Sequence, residues 1–133
     1  MSKLLARVKT IRNHQNLNIV EFYFMDTVLK MMSLDLNSEV EVGKKVELLI
    51  KPTNVTISKG FIGEISLSNR IVASIENLDN GELLSSILLK TQEYFLESII
   101  TKDSSIAMNL AKNDVVTALI KASDISILRV LND

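Results

Sequence analysis

The chain is written twice, and no other feature constrains its fold as strongly. "VELLIKPTNVTI" (46–57) and "VTALIKASDISI" (116–127) align at an offset of 70 residues. Val46, Leu49, Ile50, Lys51 and Ile57 meet Val116, Leu119, Ile120, Lys121 and Ile127, while Asn54 and Val55 meet Asp124 and Ile125. A second match opens each copy: "LLARVKTI" (4–11) parallels "IVASIENL" (71–78) at an offset of 67, with Ala6 over Ala73 and Val8 over Ile75. Two collinear matches in 133 residues define two copies that differ by a three-residue insertion. A repeat of this kind fixes the architecture before any single element does.

Within each copy, short β-rich runs dominate. The first offers "LLARVKTI", "LNIVEFYFMD", "TVLKMM", "KKVELLIK" and "NVTIS". The second offers "ASIENLD" and "ELLSSILLKT" on either side of Asn80-Gly81, a turn-forming pair, then "YFLESIIT", "DVVTALIKA" and "DISIL". Val116, Ala118 and Ile120 alternate with Thr117, Leu119 and Lys121, so one face of that strand is expected to be buried. "TKDSSIAMNL" (101–110) breaks the pattern with a capping residue and a turn of helix. Some five strands per copy predict an all-β fold with short helices, in the form of tandem OB-like five-stranded β-barrels. The expected division is a divergent first repeat at 1–60 and a second at 61–133, joined near "SKGFIGE". Each barrel alone is small, so packing between barrels or between chains should supply missing core.

Composition removes several classes of function. The 47% hydrophobic content and 23% charge describe a folded domain, and 15 basic against 16 acidic residues leave a net charge of −1. That balance offers no broad basic field for phosphate backbones and no polybasic patch for membranes. Without cysteine there are no disulfides, zinc–thiolate sites or cysteine nucleophiles. The opening residues do not read as a signal peptide, and no apolar run is long enough to span a membrane, so a soluble, cytoplasmic protein is the expectation. The only histidine, His14, lies in the polar "RNHQNLN", and Glu93, Glu97 and Asp103 are scattered without paired-carboxylate spacing. With no Gly-rich phosphate loop, nucleophile elbow or metal-ligand cluster, the chain is expected not to be an enzyme. Single-strand nucleic-acid binding by an OB-like barrel is the alternative from another class, but Phe22-Tyr23-Phe24 and Tyr94-Phe95 read as core packing rather than stacking platforms.

What remains is a set of small hydroxyl residues, amide donors and one lysine: Ser66, Ser68 and Asn69 in "ISLSN", Thr101 and Ser104 in "TKDS", and Lys121 and Ser123 in "KAS". Unpaired backbone N–H groups at a capped turn suit an anion. Neutral donors can ring a compact oxyanion without repelling one another, and one lysine adds opposite charge.

At these residues the second copy resembles the Mop domain (TOBE-type) of molbindins and of molybdate-responsive regulators. The family's S-A-R-N, I-T-x-x-S and A-x-I-K-A-S-D are matched by "SLSN" at 66–69, "ITKDS" at 100–104 and "ALIKASD" at 118–124. The resemblance implies OB-like barrels, often in tandem, that bind molybdate or tungstate between barrels. It also implies ligand contacts from Ser66, Thr101, Ser104, Lys121, Ala122 and Ser123, with Ser68 and Asn69 in the same motif. No cofactor or cationic metal is implied, and the expected partners are a tetrahedral oxyanion and further copies of the chain, with neither nucleic acid nor membrane. Ser68 stands where the family has arginine. In the first copy Lys51-Pro52-Thr53 replaces K-A-S, which leaves Lys51 and Thr53 as a candidate second site; Pro52 has no N–H to offer. Storage or homeostasis of oxyanion is the expected role. The effector part of a transcription regulator is the alternative: storage is the expectation for 133 residues as a whole product, and the regulator for an excised fragment.

Overall fold

The computed structural model describes residues 1–132, and ten strands carry almost all of its regular structure. In order they are β1 (Ser2–His14), β2 (Leu17–Phe24), β3 (Thr27–Ser33), β4 (Lys45–Ile50), β5 (Thr56–Ser58), β6 (Asn69–Asn80), β7 (Leu84–Thr91), β8 (Tyr94–Thr101), β9 (Val115–Ile120) and β10 (Ile125–Leu131). One short helix, α1 (Lys102–Ala107), follows β8, and 3₁₀ turns at Pro52–Asn54 and Ala122–Asp124 follow β4 and β9. The strands form two antiparallel five-stranded sheets, ordered β10-β4-β1-β2-β3 and β5-β9-β6-β7-β8.

The two orders show that the repeats exchange their last strands. β5 belongs to the first copy by sequence but pairs with β9, with Ile57 opposite Ala118. β10 belongs to the second copy but pairs with β4, with Ile125 opposite Ile50. The segment "SKGFIGE" therefore connects β5 and β6 within one sheet. The joint between barrels lies instead at the two 3₁₀ turns, where the chain crosses over twice. Each crossing strand carries apolar side chains into the other barrel: Ile125 is 3% exposed and Val55, just before β5, is 2% exposed. Full burial of such a side chain contributes roughly 1.5–3 kcal/mol, so neither barrel is complete without the other repeat.

Inward positions follow the period-2 pattern. Leu4, Ala6 and Val8 of β1 and Ile71, Ala73 and Ile75 of β6 are buried, as are Val46, Leu48 and Ile50 of β4 and Val116, Ala118 and Ile120 of β9. Bulges fall at matching places, between Val8 and Thr10 in β1 and between Ile75 and Asn77 in β6. Before β4 and β9 the chain turns through Gly43 and Asn113, with φ of +91° and +75°, a region that glycine and asparagine tolerate best. Both turns close on the bulge: Gly43 N–H donates to Val8 C=O and Asn113 N–H to Ile75 C=O. The three-residue insertion is α1. Where the second copy has Thr101 to Leu110, the first runs from Leu34 to Val40 without a helix, and its Asn37 side chain accepts from Glu39 N–H.

The aromatic residues divide between core and surface. Phe22 and Phe24 are fully buried, and Tyr94 packs edge-on against Phe24 with ring centroids 5.0 Å apart. Tyr23 and Phe95 point outward instead, with the ammonium groups of Lys9 and Lys90 over their rings. Core packing therefore accounts for only some of these rings, because adjacent strand residues must face opposite sides.

Candidate functional site

β9 ends at Ile120, which pairs with Asn69 at the start of β6. Lys121 and Ser68 are the next residues outward from that pair. Lys121 then opens the Ala122–Asp124 turn as its N-cap, in extended conformation. The turn closes through one bond, from Asp124 N–H to Lys121 C=O at 2.9 Å. This i→i+3 bond leaves the N–H groups of Ala122 and Ser123 outside it. Lys121, Ser123 and Ser68 are exposed, so an ammonium group, hydroxyls and turn N–H groups lie at one sheet corner open to solvent; Ser66, two residues before Ser68, is exposed as well.

Asn69 differs from its neighbours. It is fully buried, and both ends of its carboxamide are engaged with β3 of the other sheet: Nδ2 donates to Lys30 C=O at 2.8 Å and Oδ1 accepts from Lys30 N–H at 2.6 Å. β3 also packs against the Ala122–Asp124 turn. The corner is therefore built by both repeats, with β3 of the first as its floor.

The mirror corner is similar in backbone and different in chemistry. Ser2 takes the place of Asn69, and its Oγ accepts from Glu97 N–H of β8 at 2.9 Å. The Pro52–Asn54 turn packs on β8, Ser98 Oγ donates to Val55 C=O at 2.6 Å, and Lys51 is the turn's N-cap. Pro52 removes one N–H from this turn, so fewer donors face outward. Thr53 and Lys51 are exposed. A surface cleft of about 240 Å³ is lined by Lys51, Asn54, Ser123, Asp124 and Ser126 and thus joins the two turns.

Thr101 and Ser104 lie elsewhere. Thr101 caps α1: its Oγ1 accepts from Ser104 N–H at 3.2 Å and donates to Ser104 Oγ at 3.0 Å. It pairs with Leu84, and the neighbouring β7 residue Ser85 pairs with Asn80, so this cap stands at the opposite end of β6 from Asn69. The sequence-predicted residues thus form two sets in one chain. Ser68, Asn69, Lys121, Ala122 and Ser123 belong to one corner, Thr101 with Ser104 to another, and Ser66 lies in the irregular segment that leads into β6.

A second anchor holds the crossing strand in place. Lys59, just past β5, donates through Nζ to Asp114 Oδ2 at 3.0 Å and to Asn109 C=O at 3.0 Å. Asp114 also accepts from Ala111 N–H at 2.9 Å. Its carboxyl is held below its ordinary value near 3.8, first by the hydrogen bond from Lys59 and then by that from Ala111. Neither this anchor nor the Asn69 grip was legible as a motif. Their only signal is parity, since Asn69 shares the inward face with Ile71 and Ala73.

Among the described residues no group of three or more histidine, cysteine or carboxylate side chains is placed to hold a metal ion. Among the described residues no helix is long and apolar enough to cross a membrane.

No family model matches the sequence, and no curated protein matches it either. Solved structures do. A molybdate-binding protein from Sporomusa ovata aligns over 50% of this chain and 100% of its own, at 30% identity and a TM-score of 0.49. The cytoplasmic molybdate-binding protein ModG, solved with molybdate bound, aligns over 94% of this chain and 93% of its own, with 19% identity and a TM-score of 0.85. Nearly the whole chain therefore has the fold of ModG, two OB-like barrels in tandem.

Proposed function

We propose that this chain binds molybdate or tungstate reversibly, catalyses nothing, and serves cytoplasmic storage or homeostasis of the oxyanion. The observation that carries this reading is the Lys121 corner, with an exposed ammonium group, two turn N–H groups outside the turn's own bond, and neighbouring serine hydroxyls. That donor set suits a compact dianion, because one cation and several neutral dipoles stabilise it without mutual repulsion. ModG has the same fold and binds molybdate, which supports the ligand class by analogy of fold. The repeats, at 1–60 and 61–133, are units of sequence that build the corner jointly.

Further copies of the chain complete the site. Thr101 and Ser104 carry the other half of the predicted hydroxyl set at the far end of β6, where a second chain can present them to a Lys121 corner. Closed symmetric association would satisfy every such corner at once.

Thermal melting with molybdate, tungstate and sulfate tests the proposal. The melting temperature should rise with the first two, following RT ln(1 + [L]/Kd), and far less with sulfate. A salt-dependent gel shift with oligonucleotides and no thermal response to either oxyanion would favour the nucleic-acid reading instead.

A further inference from the structure

We propose that Lys30, a first-repeat residue, is the second cation of the Lys121 corner and sets its preference for a doubly charged anion. This rests on the reading of that corner as the oxyanion site. A dianion beside one lysine leaves a net negative charge, so a second cation close by would strengthen binding. Arg70 is near in sequence, but its guanidinium is taken up by the carbonyl groups of Leu67 at 3.1 Å and Ile65 at 3.0 Å. Lys51 shares a cleft with Ser123, but that cleft also holds the Asp124 carboxylate, which leaves Lys30 as the candidate whose backbone the fold ties to Asn69. Asn69 holds its backbone by two hydrogen bonds, and its strand is the floor on which the Ala122–Asp124 turn rests.

The side chain is free to take part. Lys30 lies between buried Leu29 and Met31, so it projects outward and is half-buried. Among the described residues its ammonium group is in no hydrogen bond or salt bridge. Its nearby acid is Glu21, whose carboxyl accepts from Thr10 Oγ1 at 2.7 Å and is also close to Lys9 and Arg12. Glu21 therefore keeps compensating partners when Lys30 turns toward a bound anion.

The mirror corner carries the opposite sign. Glu97 occupies the place of Lys30, held by Ser2 as Lys30 is held by Asn69. The Glu97 carboxylate accepts from Ser86 Oγ at 3.4 Å, so this place brings a negative charge where the other brings a positive one, and Pro52 has already removed a donor there. The two repeats thus share a backbone design and differ in the charge carried at this β-strand position, Lys30 in one and Glu97 in the other.

Titration calorimetry with molybdate at about 0.15 M salt, beside a ligand-free thermal melt, tests this on the parent, Lys30→Gln, Lys30→Arg and Lys9→Gln. Lys30→Gln should keep the parent's melting temperature and bind about ten- to a hundredfold more weakly, the loss expected of a charge-assisted contact. Lys30→Arg should recover most of the affinity. Lys9→Gln, which removes the same charge near Glu21 but away from Asn69, should bind within about twofold of the parent, as expected for a screened surface charge. A parent that binds while Lys30→Gln binds equally well overturns the role of Lys30 and leaves the site intact. Equal losses in Lys30→Gln and Lys9→Gln overturn it too, because the effect would then belong to the general field. A parent that does not bind molybdate overturns the site itself.

Discussion

The carboxamide of Asn69 closes two hydrogen bonds on the backbone of Lys30, 39 residues earlier in the chain. It satisfies an N–H and a C=O on the outer edge of β3 that no further strand covers, and it does so from inside the barrel interface. Removing it leaves both groups without a partner in a half-buried place. Each buried group left unsatisfied costs about 1–3 kcal/mol. Asn69→Ala should therefore destabilise the chain by about 2–4 kcal/mol, whereas Ser2→Ala, which loses one bond at the mirror position, should cost about half as much. Urea denaturation of the two variants gives the comparison; equal, small losses would show that the grip contributes little.

The exchange of β5 and β10 predicts cooperative unfolding. Each sheet contains a strand from the other repeat, so one barrel cannot open without stripping a strand from its neighbour. Tyr23 reports on the first sheet and Tyr94 on the second, and the chain has no tryptophan. Denaturation followed by circular dichroism and by tyrosine fluorescence should give coincident transitions. Two separated transitions would mean that the barrels are independent.

Acid should weaken the Lys59 anchor. The Asp114 carboxyl is held below its ordinary value by Lys59 and Ala111, so its contribution is fully present above the unfolded value near 3.8. As pH falls through the lower folded value the proton is taken up and that contribution is lost. The difference in melting temperature between the parent and Asp114→Asn should be constant above about pH 5 and shrink below about pH 4. A difference that stayed constant down to pH 2.5 would remove Asp114 from the acid response.

Much of this architecture was legible in the sequence, for physical reasons. Period-2 burial wrote the strands, as in "YFLESIIT", which is β8 in full, and the capping residue of "TKDSSIAMNL" located α1. Thr101 announced its role because a hydroxyl three residues before Ser104 can reach a free N–H of the first turn. The strand exchange was not legible. Val55 with Ile57 and Ile125 with Ile127 have the same alternation, and nothing in a K-x-[ST] turn states which sheet the next strand joins. Tyr23 and Phe95 were misplaced because hydrophobic character alone does not reveal parity. The corner was half legible: Lys121 and Ser123 stand together in sequence, but Asn69 meets Ile120 only through strand register, and Lys30 comes near only through the fold.

Paired lysine variants distinguish a Lys121 that serves an oxyanion from one that serves the fold. Lys121 is exposed at a strand end, so its loss should cost little stability. Against a bound dianion it makes a charge-assisted hydrogen bond of about 1.5–3 kcal/mol. Calorimetric titration with molybdate should show Lys121→Ala about ten- to a hundredfold weaker than the parent at an unchanged ligand-free melting temperature. Lys51→Ala, from the turn in which Pro52 has removed a donor, should lose much less. If Lys121→Ala binds as tightly as the parent, the corner is not the site.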